Sequence, residues 1–105
     1  MTTTTLTDTP VERDAEGFFV HPEQWTETMA DEIARENGVD TLTDRHWQVI
    51  NFMRRTYLET GSAPSIRTLG KVSGVPIKEL YQLFPKRPAK LAAKIAGIPK
   101  PRGCI

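Results

Sequence analysis

Prolines and glycines fence this chain into short helical stretches, and that punctuation limits what it can fold into. Between Pro22 and Gly97 apolar residues return every third or fourth position, and each run closes on a breaker. Pro22 suits a first helical turn, and Trp25, Met29 and Ile33 follow at four-residue spacing until Asn37-Gly38 closes the helix. Thr43 is a good N-cap with Asp44 behind it, and Trp47, Ile50, Met53 or Arg54, Tyr57 and Leu58 trace a second helix that stops at Gly61. Ser65 caps a third, with Ile66, Leu69 and Val72, ending at Ser73-Gly74. Pro76 starts a fourth, with Ile77, Leu80, Leu83 and Phe84, halted by Pro85. Pro88 starts a fifth, through Leu91, Ala92 and Ile95, which finishes at Gly97. No run reaches the roughly 18 apolar residues a membrane helix needs. The expected fold is mainly α: a small orthogonal bundle of about five helices.

The N-terminal end reads differently. Residues 1–10 are Thr-rich with little apolar content and are expected to be disordered. Val11-Glu12-Arg13 and Phe18-Phe19-Val20 flank Asp14-Ala15-Glu16-Gly17, which reads as a β-hairpin leaning on the helices. The helical domain is therefore placed at 11–97. The first residues have neither the basic start nor the apolar stretch of a signal peptide, so a cytoplasmic address is expected. With 105 residues the chain makes one domain, expected to be monomeric.

Charge divides the chain sharply. Residues 1–64 hold 5 Lys+Arg against 12 Asp+Glu, a net of −7, whereas residues 65–105 hold 9 against one, Glu79, a net of +8. Either the two halves attract each other in the fold, or the basic half faces an anionic partner. Lys86, Arg87, Lys90 and Lys94 crowd the fifth helix; they make a docking surface or a solvated face. His21 and His46 have no readable partner and receive no catalytic role. Two histidines and one cysteine make a structural zinc site improbable, and no Gly-rich phosphate loop occurs, so neither metal nor cofactor is expected.

The last eight residues, Ile98-Pro99-Lys100-Pro101-Arg102-Gly103-Cys104-Ile105, form the most informative segment. Alternating prolines exclude helix and favour an extended arm, with Gly97 and Gly103 as hinges. At about 3.3 Å per residue, Cys104 reaches up to roughly 23 Å from Gly97. The only thiol thus rides near the tip of a basic arm, flanked by Lys100 and Arg102. Such an arm can enter another protein's site, take up sulfane sulfur and deliver it elsewhere. Lys100 and Arg102 favour the thiolate while the terminal carboxylate opposes it, each by about 1 kcal/mol at contact in water. Cys104 is therefore predicted to titrate as an ordinary thiol when free. A thiol titration with a midpoint far below about 7 contradicts this.

Leu83-Phe84-Pro85-Lys86-Arg87-Pro88-Ala89-Lys90, then Lys94-Ile95-Ala96-Gly97-Ile98-Pro99-Lys100-Pro101 and Gly103-Cys104, closely resemble the DsrC/TusE family. That family comprises the gamma subunit of dissimilatory sulfite reductase and sulfur-relay proteins. Asp14-Ala15-Glu16-Gly17-Phe18, His46-Trp47 with Ile50-Asn51-Phe52, and Ala63-Pro64-Ser65-Ile66-Arg67 extend the resemblance over nearly everything from Val11 onward. It implies a helical fold with a helix-turn-helix element and a mobile arm at 98–105, whose penultimate cysteine carries sulfur as a persulfide. It also implies partners: a TusBCD-like sulfur-donor complex and a tRNA-thiolating enzyme, or sulfite reductase. DsrC proper has a second cysteine eleven residues earlier, where this chain has Ala93. Without that thiol Cys104 cannot close a loop with its own chain, which points to a one-cysteine carrier acting only with partner proteins. The run Lys71 to Lys78 is shorter than the connection typical of TusE proteins.

A competing reading rests on Leu69 to Tyr81, which also looks like a DNA-binding helix-turn-helix. Its second helix offers only Lys78, Glu79 and Gln82 as polar readers, with no Arg or Asn for bidentate base contact. Trp25 and Trp47 are expected as core anchors. Arg67 could steer the arm or make a structural ion pair.

Overall fold

The computed structural model describes residues 2–100. Threonine is β-branched and favours extended backbone, and the Thr run uses that preference. Strand β1 (Thr2–Leu6) pairs antiparallel with β2 (Thr9–Arg13), in register Leu6 to Thr9 and Thr3 to Glu12. Thr7 and Asp8 form the two-residue turn, both with positive φ (50° and 64°), as a hairpin with the strands' own twist requires. The expectation of disorder over 1–10 is corrected: Leu6 and Val11 are buried, and the Thr7 N–H donates to Glu32 at 2.7 Å. The domain thus begins at the hairpin, ahead of residue 11.

The turn at 14–17 exists, but it joins β2 to a single bridge, Arg13 to Phe19, and to no full second strand. Asp14 makes it, its carboxylate accepting from the N–H groups of Glu16 (2.9 Å) and Phe18 (3.0 Å). Phe18 and Phe19 are driven into the core on leaving it.

Helix α1 spans Glu27–Glu36, α2 Asp44–Thr60, α3 Ile66–Val72, α4 Ile77–Leu83 and α5 Pro88–Ile95. The helix expected from Pro22 is interrupted: Pro22–Gln24 is one 3-10 turn, Trp25 is extended, and α1 starts only after Thr26. Trp25 leaves the helical path because its ring has another seat, at the end of α5. The remaining signals operate as read. Thr43 accepts from the His46 N–H, while its own N–H donates to His46 Nδ1 at 3.0 Å. Gly61 closes α2 with φ 78°, Ser65 caps α3, and Pro88 opens α5.

Helix α5 lies at the centre, packed against each of the other four helices. Its buried face is Ala89, Ala92, Ala93 and Ile95, and such small residues allow neighbouring axes to approach closely. Three of the residues assigned to apolar stripes are exposed instead, Leu58 at the end of α2, Val72 at the end of α3 and Ile77 at the start of α4. Each lies in the first or last turn of its helix. Trp25 and Trp47 are half-buried against the core, ring centres 6.4 Å apart. His46 is structural: buried, edge-on to Phe84, with Nε2 2.9 Å from the Leu83 carbonyl. Since Nδ1 accepts from Thr43, Nε2 carries the proton and donates. Among the described residues no helix is long and apolar enough to cross a membrane.

Candidate functional site

Lys90 and Lys94 stand one helical turn apart on the same side of α5, and Lys86 sits in the loop before it. They line, with Arg87, a cleft of about 350 Å³ closed on the other side by Glu16, Phe18 and Asn37. A second cleft, about 400 Å³, continues from it past Lys94 and Glu16 to Arg13 and Glu36. Four of the cations picked out from the sequence therefore share one groove between the 14–17 turn and α5.

The groove is held open by backbone and packing. Pro85 ends α4, and Lys86 takes φ 75°, which turns the chain into α5 and leaves Lys86 and Arg87 exposed. A left-handed β-carbon costs roughly 1 kcal/mol. Lys86→Gly is therefore predicted to raise stability by up to about 1 kcal/mol in urea unfolding. The Lys94 ammonium lies 5.4 Å from the centre of the Phe18 ring, which steers it along the groove wall.

The arm's first residues start at this groove. Lys100 donates to Glu16 at 2.7 Å. The Lys100 ammonium, with Lys90 and Lys94 behind it, holds the Glu16 carboxyl below the usual carboxylate range. A depressed carboxyl pKa means that the pairing is present above the ordinary carboxylate range and is lost as pH falls through the lowered value. In Lys100→Gln the Glu16 titration, followed by carboxyl-carbon NMR, should move back up.

Gly97 has a different job from the hinge expected of it. Its φ is 68°, its N–H donates to the Lys94 carbonyl at 3.1 Å, and the Ile98 N–H donates to the Ala93 carbonyl at 3.2 Å. These paired bonds are the glycine-terminated helix end, which fixes the chain. A β-carbon on Gly97 would overlap the Trp25 ring, and Ile98 beyond it is buried. The chain is therefore anchored through Ile98. Cys104, Arg102 and Gly103 lie outside the described residues.

The helix-turn-helix geometry is present, but its DNA-binding reading finds no support. Glu79 of α4 is taken by a bidentate ion pair with Arg45 of α2, at 2.7 and 2.8 Å, and Arg45 holds the Glu79 carboxyl low. Exposed Ile77 and Tyr81 occupy the same helix where base-reading groups would be needed. Arg67 is exposed on α3. Gln48 donates to the Ser73 carbonyl at 2.8 Å and fixes the turn to α2 as a structural corner. Glu79 is the one acid of residues 65–105, so its use in a bridge to α2 leaves the basic groove uncompensated by its own half of the chain. Neither the Arg45–Glu79 pair nor the Glu16–Lys100 pair had a local sequence signal, since each joins residues far apart in the chain.

Comparison with known proteins places this geometry. A family model described as DsrC like protein matches residues 5–105. A sulfurtransferase TusE of Sodalis glossinidius is 43% identical over 104 residues, covering 92% of this chain and 95% of that protein. The Escherichia coli sulfurtransferase TusE is 44% identical over 102 residues, covering 90% and 93%. Among solved structures, Allochromatium vinosum DsrC superposes with a TM-score of 0.81 at 37% identity, covering 98% of this chain and 97% of that one. A chain in the crystal structure of dissimilatory sulfite reductase I superposes with a TM-score of 0.89 at 33% identity, covering 99% and 100%. With the family model spanning almost the whole chain and relatives above 40% identity over nine-tenths of it, this protein belongs to the DsrC-like family.

Proposed function

We propose that this protein is a sulfur-relay carrier, accepting sulfane sulfur on Cys104 and passing it to a second protein. The observation that carries the reading is the meeting of the basic groove with the root of the arm, where Lys100 joins Glu16 beside Lys90 and Lys94. A partner with an acidic rim docks on Lys86, Arg87, Lys90 and Lys94, assisted by Lys100 and Arg102, and the arm delivers Cys104 to its reactive sulfur. The Cys104 thiolate attacks the outer sulfur of a donor persulfide. The donor S–S bond breaks, a new S–S bond forms on Cys104, and the donor leaves as a thiolate, with no net oxidation.

The partners that fit are a TusBCD-like donor complex and, downstream, a tRNA-thiolating enzyme, in the cytoplasm. Relatives named sulfurtransferase TusE support this choice. So does the single cysteine: with Ala93 in α5, a bound sulfur has no second thiol of this chain to go to. A second reading, a partner of sulfite reductase, draws on the likeness to the chain from dissimilatory sulfite reductase I.

The test is intact-mass analysis of the purified chain after incubation with a TusBCD-like complex, a cysteine desulfurase and L-cysteine. A gain of one sulfur atom, reversed by reductant, is expected, with a KM that rises with salt. No gain with this donor, but gain with a sulfite reductase in its place, moves the assignment to the second reading. No gain with either refutes both.

A further inference from the structure

Two side chains from distant parts of the chain meet where α5 ends. Trp25, on the extended link before α1, donates its Nε1–H to the Ile95 carbonyl at 2.8 Å. Arg54, midway along α2, stacks its guanidinium 4.2 Å from the centre of the same ring and donates Nη1–H to the Ala96 carbonyl at 2.8 Å. A longer contact, 3.4 Å, ties its Nη2 to the Pro22 carbonyl. Gly97 and Ile98 already take the carbonyls of Lys94 and Ala93. Every carbonyl from Ala93 to Ala96 is thus occupied, two by the chain's own turn and two by residues from elsewhere.

Arg54 is an unusual choice for this task. Among the described residues it has no carboxylate partner, and burial pushes its pKa below the ordinary guanidinium value. Water can satisfy the carbonyls of a helix C-terminus at no such cost. Here a partly buried cation sits on an indole face at the negative end of the helix dipole, interactions that compensate its burial. The indole in turn fills the space a β-carbon at residue 97 would need.

We infer that Trp25 and Arg54 are positioning residues for the sulfur-carrying arm: they fix the point and direction from which residues 99–105 depart. This rests on the carrier reading. The physical gain is in effective concentration. If the last turn of α5 frayed, the tether between anchor and Cys104 would grow from about six residues to about ten. The thiol would then be diluted over a volume roughly 2- to 5-fold larger. Docking through the groove would be largely kept, because Lys86, Arg87 and Lys90 lie ahead of the last turn of α5 and only Lys94 lies within it.

The experiment uses full-length Arg54→Gln and Trp25→Phe. In the transfer assay with a TusBCD-like complex, each should lower kcat about 2- to 5-fold, a larger change than in KM. Loading by inorganic polysulfide, which needs no docking, should keep its wild-type rate. Ile33→Val, a core change in α1 away from the pair, serves as the stability control and should leave kcat unchanged. A second readout is independent of sulfur chemistry. Nitroxides on Cys104 and on a cysteine introduced by Glu59→Cys report a distance distribution by pulsed EPR, which should broaden in both variants. Wild-type kcat in folded variants, an equal loss in Ile33→Val, or an unchanged distribution overturns the inference. Absence of loading in the wild-type chain, with broadening still seen, counts against the carrier reading alone.

Discussion

Cys104→Ser abolishes sulfur loading from the donor complex, and does so without a change in thermal stability. The expected effect is complete because serine's oxygen cannot hold a sulfane sulfur under these conditions and no other thiol exists in the chain. Fold and docking are expected to be independent of the substitution: among the described residues, every buried side chain of the core lies within residues 6–98. The variant should therefore still occupy the donor's docking surface and compete with wild-type protein. Intact mass, a thermal melt and a competition assay check the three parts. A serine variant that still gains sulfur would place the chemistry on another group altogether.

The second large effect is on stability, and it pits two glycines against each other. Gly38 and Gly97 both close helices with positive φ, 85° and 68°, and with the same pair of backbone bonds. Alanine at either position has to adopt the left-handed conformation, at roughly 1 kcal/mol. A β-carbon on Gly38 meets nothing within 4 Å, so Gly38→Ala should cost only that. On Gly97 it overlaps the Trp25 ring, and the indole has to move off the Ile95 carbonyl and from beneath Arg54. A lost hydrogen bond at about 1 kcal/mol and a disrupted cation–ring contact of similar size bring the total to about 3 kcal/mol. For a domain of this size that lowers Tm by roughly 10–20 °C, against about 5 °C for Gly38→Ala. Calorimetry on both variants decides it: equal losses would mean that Trp25 is loosely seated and does not brace the arm's root.

How far the sequence led depends on whether the cause was local. Thr43, Gly61, Ser65, Pro76 and Pro88 act on their own turns, so their meaning could be read from neighbours three or four residues away, and five helices followed. Lys90 and Lys94 were legible as one face for the same reason, whereas Lys86 joins them through the left-handed turn before α5. The Thr run misled because only Leu6 and Val11 of that hairpin are large and buried, while β-branched residues supply the strand preference without apolar content. Trp25 misled because its four-residue spacing to Met29 is genuine, yet a tertiary seat 70 residues along the chain outweighed helix continuation. Glu16–Lys100 and Arg45–Glu79 join residues 84 and 34 apart, and no window of sequence contains either pair.

The seating of Ile98 in the core sets a limit on what can exchange sulfur with this protein. Measured from that buried anchor, only six residues lead to Cys104, and full extension gives about 20 Å. A recipient catalytic cysteine at the bottom of a tunnel deeper than that is beyond range, however strong the electrostatic attraction at its mouth. Compatible donors and acceptors are those whose reactive atom lies in a shallow recess close to their contact surface. Lengthening the segment after Ile98 would widen the set of enzymes served and surrender selectivity among them.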